Sequence, residues 1–193
     1  MTAADASNAI HVDRASGRIH PAALHLSPNH NSRPPGIAID LIVIHCISLP
    51  RGVFGLSHID DLFMNRLDPG AHPSFVDLEA LRVSCHALIH RDGALVQYVP
   101  VHLRAWHAGP SQYRGRGPCN DFSVGIELEG EDSIPYTDAQ YARLIALIKA
   151  LIAAYPSLSR EHITGHADIA PERKTDPGPA FDWKRLHHGL DHR

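Results

Sequence analysis

IAIDLIVIH, residues Ile37–His45, decides the fold class. A β-branched apolar run closed by one polar residue reads as a central strand buried on both faces, with its last side chain reaching a cleft. A second strand is expected at Phe122–Glu129, where Phe122, Val124, Ile126 and Leu128 share one face and Ser123, Gly125, Glu127 and Glu129 the other. Between them lie VSCHALIH and ALVQYVP, short strands around the Asp92-Gly93 turn, preceded by a short helix over Ile59–Leu67. After them comes the strongest helix: Thr137 and Gln140 form a capping box, and Tyr141, Leu144, Ile145, Ile148, Leu151, Ile152 and Tyr155 make an apolar stripe that Pro156 ends. His162–Gly165 is a last strand, Ala170–Pro179 a proline-rich loop, and Phe181–Leu190 a terminal helix. Strands and helices sharing one core give an α/β (mixed α+β) architecture, a single domain over residues 22–193, with residues 1–21 a poorly ordered lead-in.

The whole chain is 193 residues, with 44% hydrophobic and 20% charged side chains, enough for one sizeable core. Its net charge of -3 supplies no electrostatic footprint for nucleic acid or for an anionic membrane surface, and no obligate protein partner is evident. The sixteen histidines make that charge sensitive to mild acid. Cys46, Cys85 and Cys119 form no paired motif, which fits a reducing compartment. The N-terminal stretch carries Asp5, Asp13 and Arg14 where a signal peptide needs an apolar run, so a cytoplasmic location is expected.

The densest chemistry lies in THR-to-proline segment TGHADIAPERKTDPGP, residues 164–179, where prolines and glycines fix a loop carrying His166, Lys174 and Asp176. With His45 arriving from its strand, His166 and Asp176 complete a set of two imidazoles and one carboxylate that leaves a tetrahedral position open, the pattern of catalytic zinc. The plain alternative is a buried hydrogen-bonded histidine and a capping aspartate. Zinc chemistry also needs a proton acceptor and a group to hold a developing oxyanion. Glu127 and Glu129 are both candidates for the first. Lys174 suits the second, and His107 in Trp106-His107-Ala108-Gly109 could donate to the oxyanion or to substrate.

Collinear blocks over about residues 24–187, among them LIVIHCISLPRGVFG, LRVSCHALIHRDGALVQYVP, RAWHAG, CNDFSVGIELEG and TGHADIAPERKTDPGPAFDW, resemble the zinc-dependent N-acetylmuramoyl-L-alanine amidases of type 2. The resemblance implies a central mixed β-sheet flanked by helices, shared with peptidoglycan recognition proteins. It implies that His45, His166 and Asp176 hold one zinc ion, that Glu127 is the general acid/base in preference to Glu129, and that Lys174 stabilises the tetrahedral intermediate. Arg82 matches a position that contacts the stem-peptide carboxylate, and Trp106 with His107 should line the cleft. The implied reaction is cleavage of the amide between (1,6-anhydro-)N-acetylmuramic acid and L-alanine in cytoplasmic peptidoglycan recycling. Two departures bear on peptide preference: Cys46 stands where relatives usually have Asn, and Pro118 where they tend to have Arg, leaving Arg114 or Arg116 as replacements. The rival readings are a peptidoglycan-binding or sensor protein whose zinc is structural, and a broad endolysin acting on intact cell wall.

Overall fold

The apolar run Ile37–His45 leads into Leu41–Ile47, the second of six strands in the main sheet. The computed structural model describes residues 9–192. In chain order the strands are β1 (His11–Asp13), β2 (Arg18–His20), β3 (Ala23–Leu24), β4 (His30–Asn31), β5 (Leu41–Ile47), β6 (Ala87–Ile89), β7 (Leu95–Gln97), β8 (Arg104–Ala105), β9 (Ser123–Glu129) and β10 (Ile163–Gly165). The helices are α1 (His58–Phe63), α2 (Asp138–Ala154), α3 (His166–Ile169) and α4 (Trp183–Asp191). The main sheet has the order β10-β5-β9-β6-β7-β3, parallel from β10 through β6, antiparallel between β6 and β7, and parallel again at β3. A mixed sheet with flanking helices is therefore present as expected.

One face of the sheet carries Ile42, Ile44, Val124, Ile126 and Leu128 against Leu144, Leu147, Ile148 and Leu151 of α2 and Leu186 of α4. This is the main core, and it explains why the apolar stripe of α2 forms where the periodicity placed it. Thr137 accepts from the Gln140 amide at 3.1 Å and Gln140 returns the bond, so the capping box is formed. The opposite face carries Ser123, Gly125, Glu127 and His45 and is covered by α1 and by the loops around residues 104–122. Every residue of β9 is buried. A polar face on a buried strand needs partners for each of its side chains, and those partners build the site.

Three expectations shift. Residues 1–8 lie outside the described residues, but the rest of the expected lead-in forms the β1–β2 hairpin, with His11 beside His20 and Ile19 wholly buried. Three-residue strands are too short for periodicity to show; the hairpin is held by packing on α2 and by the Ile19 amide donating to the Gln97 side chain at 3.0 Å. The helix expected to reach Leu67 ends at Phe63, where the chain turns through Asn65 in the left-handed region. The terminal helix starts two residues late because Asp182 caps it, accepting from the Arg185 amide at 2.9 Å.

Candidate active site

Register sets the first pair of functional groups. In the parallel ladder His45 of β5 pairs with Glu127 of β9, so their side chains rise side by side from the sheet face turned away from α2. β10 runs straight into α3, which puts His166 at the edge of the same face. The following loop is tied back by the Ala167 amide donating to the Asp176 carbonyl at 2.9 Å and the Lys174 amide donating to the Ala170 carbonyl at 3.0 Å. As a result His45 Nδ1 and His166 Nδ1 lie 2.9 Å apart, and each lies 3.1 Å from Asp176 Oδ2.

The donor chemistry of this triangle fits a divalent cation. Nε2 of His166 is 3.1 Å from the Ala108 carbonyl, which can only accept, so that nitrogen carries the hydrogen and Nδ1 presents a lone pair. A second imidazole nitrogen and a carboxylate oxygen crowd that lone pair. Burial pushes the pKa of His45 down to about 4, so this ring is neutral at neutral pH. Electron-rich atoms aimed at one point repel one another unless a cation sits among them. Among the described residues these three are the cluster that could hold a metal. Two imidazoles and a carboxylate suit zinc and leave room for a ligand that is not protein.

Glu127 stands beside the triangle, only 8% exposed, and its Oε2 has no hydrogen-bond partner among the described residues. Burial first, and then the charge of Asp176, push its pKa well above the usual carboxylate range. Glu129, the other candidate, is occupied elsewhere: it accepts from the Arg91 amide and pairs with His90 Nδ1, both at 3.1 Å, and accepts from the Gly55 amide at 2.5 Å. Alternation alone could not separate the two carboxylates, because the difference lies in what packs over each.

A cleft of about 450 Å³ opens on the triangle, with Lys174, Arg82, Trp106 and His107 all in its wall and Leu49, Leu62 and Phe63 supplying an apolar side. Arg82 is exposed at the rim, donating to the Glu79 and Leu81 carbonyls at 2.9 and 3.1 Å. Trp106 is anchored by its indole N–H donating to Asn31 Oδ1 at 2.9 Å. His107 departs from expectation. Its Nδ1 is 2.9 Å from His45 Nε2 and its Nε2 is 3.0 Å from Ser123 Oγ, so neither ring nitrogen is free to bond an oxyanion or a substrate. Burial, with His45 and His86 close by, keeps this ring neutral.

Cys46 points away from the triangle, its thiol donating to Asp132 Oδ1 at 3.4 Å beside a second, more polar cavity of about 370 Å³ that also includes Arg51 and Glu131. Arg114 and Arg116 do not reach the cleft. Arg116 pairs with Asp40 and lies over the Phe122 ring, and Arg114 lies beside His162, around a separate depression. Two residues with clear parts in the site were not singled out in the sequence. Arg173 straps the cleft wall by donating to the Ala108 and Pro110 carbonyls at 2.6 and 3.0 Å, and nothing in its sequence context distinguishes it from a surface arginine. Ser123 sits under His107; its only signal was the alternation that placed it on one face with Gly125 and Glu127.

Comparison with known proteins agrees with this geometry. Residues 34–179 match the family model described as N-acetylmuramoyl-L-alanine amidase. The chain is 58% identical over 161 residues to the 1,6-anhydro-N-acetylmuramyl-L-alanine amidase AmpD of Enterobacter cloacae, covering 83% of this chain and 86% of that protein. It is 59% identical over 160 residues to AmpD of Escherichia coli (strain K12), covering 83% and 87%. A crystal structure of a selenomethionine AmpD derivative superposes with a TM-score of 0.89 at 53% identity, covering 93% of this chain and 98% of that one. The Escherichia coli amidase AmiD, in complex with the substrate anhydro-N-acetylmuramic acid-L-Ala-D-γ-Glu-L-Lys, superposes with a TM-score of 0.58 at 31% identity, covering 81% and 60%.

Proposed function

Starting from the fact that this chain belongs to the N-acetylmuramoyl-L-alanine amidase family, we propose that it is a zinc enzyme of cytoplasmic peptidoglycan recycling. In this reading it hydrolyses the amide between 1,6-anhydro-N-acetylmuramic acid and L-alanine in muropeptides. The observation that carries the reading is the triangle of His45, His166 and Asp176 at the floor of a cleft, with the buried Glu127 beside it and its Oε2 without a hydrogen-bond partner among the described residues. Relatives named for this activity across most of the chain support the substrate class, as does a related amidase with an anhydromuramoyl peptide in its site. Among the described residues no helix is long and apolar enough to cross a membrane.

His45, His166 and Asp176 would hold the zinc, which would supply Lewis acidity toward the amide carbonyl and the attacking water. Glu127 takes that water's proton as the oxygen attacks the amide carbon. Its raised pKa then lets it keep the proton long enough to hand it to the departing nitrogen of L-alanine, so one carboxyl serves as base and acid in turn. Lys174, half-buried in the same wall, places a positive charge where the oxyanion develops. The apolar side of the cleft displaces water around these groups, and exposed Arg82 at the rim offers a guanidinium to a stem-peptide carboxylate. A structural zinc would ordinarily take four protein ligands; three converge among the described residues, which favours the hydrolytic reading.

Release of free peptide from a purified anhydromuropeptide, compared with clearing of whole cell-wall sacculi, with and without chelator, tests the proposal. Chelator-sensitive peptide release with little clearing is expected. Clearing at a comparable rate would move the protein to the endolysin class, and release untouched by chelator would sink the zinc. Asp176→Ala should lower the zinc content per chain, read by elemental analysis.

A further inference from the structure

The hydrogens around His107 can be placed from one fixed point. The Ser123 hydroxyl has a single hydrogen, and it goes to the Cys119 carbonyl at 2.6 Å, a group that only accepts. Toward His107 the Ser123 oxygen is therefore an acceptor, so Nε2 of His107, 3.0 Å away, must carry a hydrogen. A neutral ring protonated there has a lone pair on Nδ1. Facing that lone pair at 2.9 Å is Nε2 of His45, which must be the donor. His45 is left with a bare Nδ1 on the side where His166 Nδ1 and Asp176 Oδ2 wait at 2.9 and 3.1 Å.

We propose that Ser123 and His107 are positioning residues that select the tautomer of His45 and so decide which of its nitrogens is offered to the metal. The proposal rests on the reading of His45 as a zinc ligand. His166 receives the same setting directly from the Ala108 carbonyl, whereas His45, buried in mid-sheet, has no carbonyl facing its ring and receives it through two intervening side chains. The seat for the intervening ring is specific. A Cβ on Gly125 would lie 2.3 Å from the His107 ring, so only glycine leaves room for it, and the His107 and Ala108 amides donate to Asn120 Oδ1 at 3.2 and 2.8 Å, fixing the backbone above. Outer groups that orient a ligating histidine typically change metal affinity by about 10- to 100-fold when removed.

The test compares wild type, His107→Phe, His107→Asn and Ser123→Ala in three measurements: Zn²⁺ affinity by competition with a chromophoric chelator, the visible spectrum of the Co²⁺-loaded chain, and imidazole nitrogen shifts of the metal-free chain by NMR. His107→Phe, which keeps the ring but has no acceptor, should weaken Zn²⁺ binding by about 10- to 100-fold and alter the Co²⁺ spectrum. His107→Asn, whose side-chain oxygen can stand where Nδ1 was, should recover part of the loss. Metal-free wild type should show His45 and His107 both protonated on Nε2. If His107→Phe does not fold, Ser123→Ala, the removal of one oxygen, carries the affinity test alone. Zinc bound as tightly by the variants as by wild type, or a hydrogen on Nδ1 of His45 in a wild type that still binds zinc, overturns the relay. A wild type that binds no zinc overturns the metal reading beneath it.

Discussion

A buried carboxyl oxygen with no hydrogen-bond partner ordinarily costs stability, and among the described residues Glu127 Oε2 is such an atom. Burial, and then the charge of Asp176, raise the pKa of its carboxyl, and a raised pKa is what a group needs if it is to accept a proton and later give it away. Glu127→Gln keeps the shape and removes the proton acceptor. Turnover should fall by about a hundred- to ten-thousand-fold while zinc content by elemental analysis stays at the wild-type level; a variant that turns over normally removes Glu127 from the chemistry. Gly125 acts by absence. Gly125→Ala must push the His107 ring aside, a strain of about 1–3 kcal/mol, seen as a lower urea midpoint together with weaker zinc binding. Were the midpoint to fall with zinc affinity intact, His107 would be packing only.

Among the elements, the end of β9 has a separate task. Glu129 staples the loop at Gly55 and the start of the β6–β7 turn to the sheet through the contacts to Gly55, His90 and Arg91. Burial works against its charge, but the His90 contact and the Gly55 and Arg91 amides overcome it and hold its pKa at about 2, below the ordinary 4.5. A depressed carboxyl contributes stability above pH 4.5 that drains away as pH falls toward 2. His90 is raised above 6.5 by Glu129, and its contribution is complete below pH 6.5 and lost as pH rises through the raised value. Their ion pair is thus strongest between pH 4.5 and 6.5. His90→Gln should therefore destabilise the protein more at about pH 5.5 than at about pH 8.5, measured as the shift in urea midpoint at each; an equal shift at both would mean that the pair is not charged. This element also shows what could be read in advance. β5, β9 and α2 announce themselves because each buries a regular apolar stripe, and the 164–179 loop because its residue types are unusual for a loop. The division of labour between Glu127 and Glu129, the spent nitrogens of His107 and the β1–β2 hairpin depend on which distant segment packs over them, and no local pattern carries that information.

For the whole molecule, acid should be the weak point. With zinc removed, His45, His86 and His107 are buried and neutral, with pKa values pushed down by burial, to about 4 for His45 and about 3 for His86. Unfolding below pH 6.5 lets these three take up protons, and Glu127, whose carboxyl burial pushes up, offsets part of that uptake. Stability of the chelator-treated protein should then drop by on the order of 2 kcal/mol per pH unit between about pH 6 and pH 5. Urea unfolding across that interval checks it, and a flat profile would show that the buried rings already carry charge.

The parallel ladder that sets His45 next to Glu127 has a consequence for quality control. A slip of β9 by one residue along β5 would turn Glu127 over and bring Ile126 or Leu128 to the histidine's side, with the apolar and polar faces exchanged. Such a molecule could still look compact and helical while being inert. Specific activity therefore counts the molecules whose sheet has zipped in frame, a more exacting gauge of a refolded preparation than any spectrum of its helices.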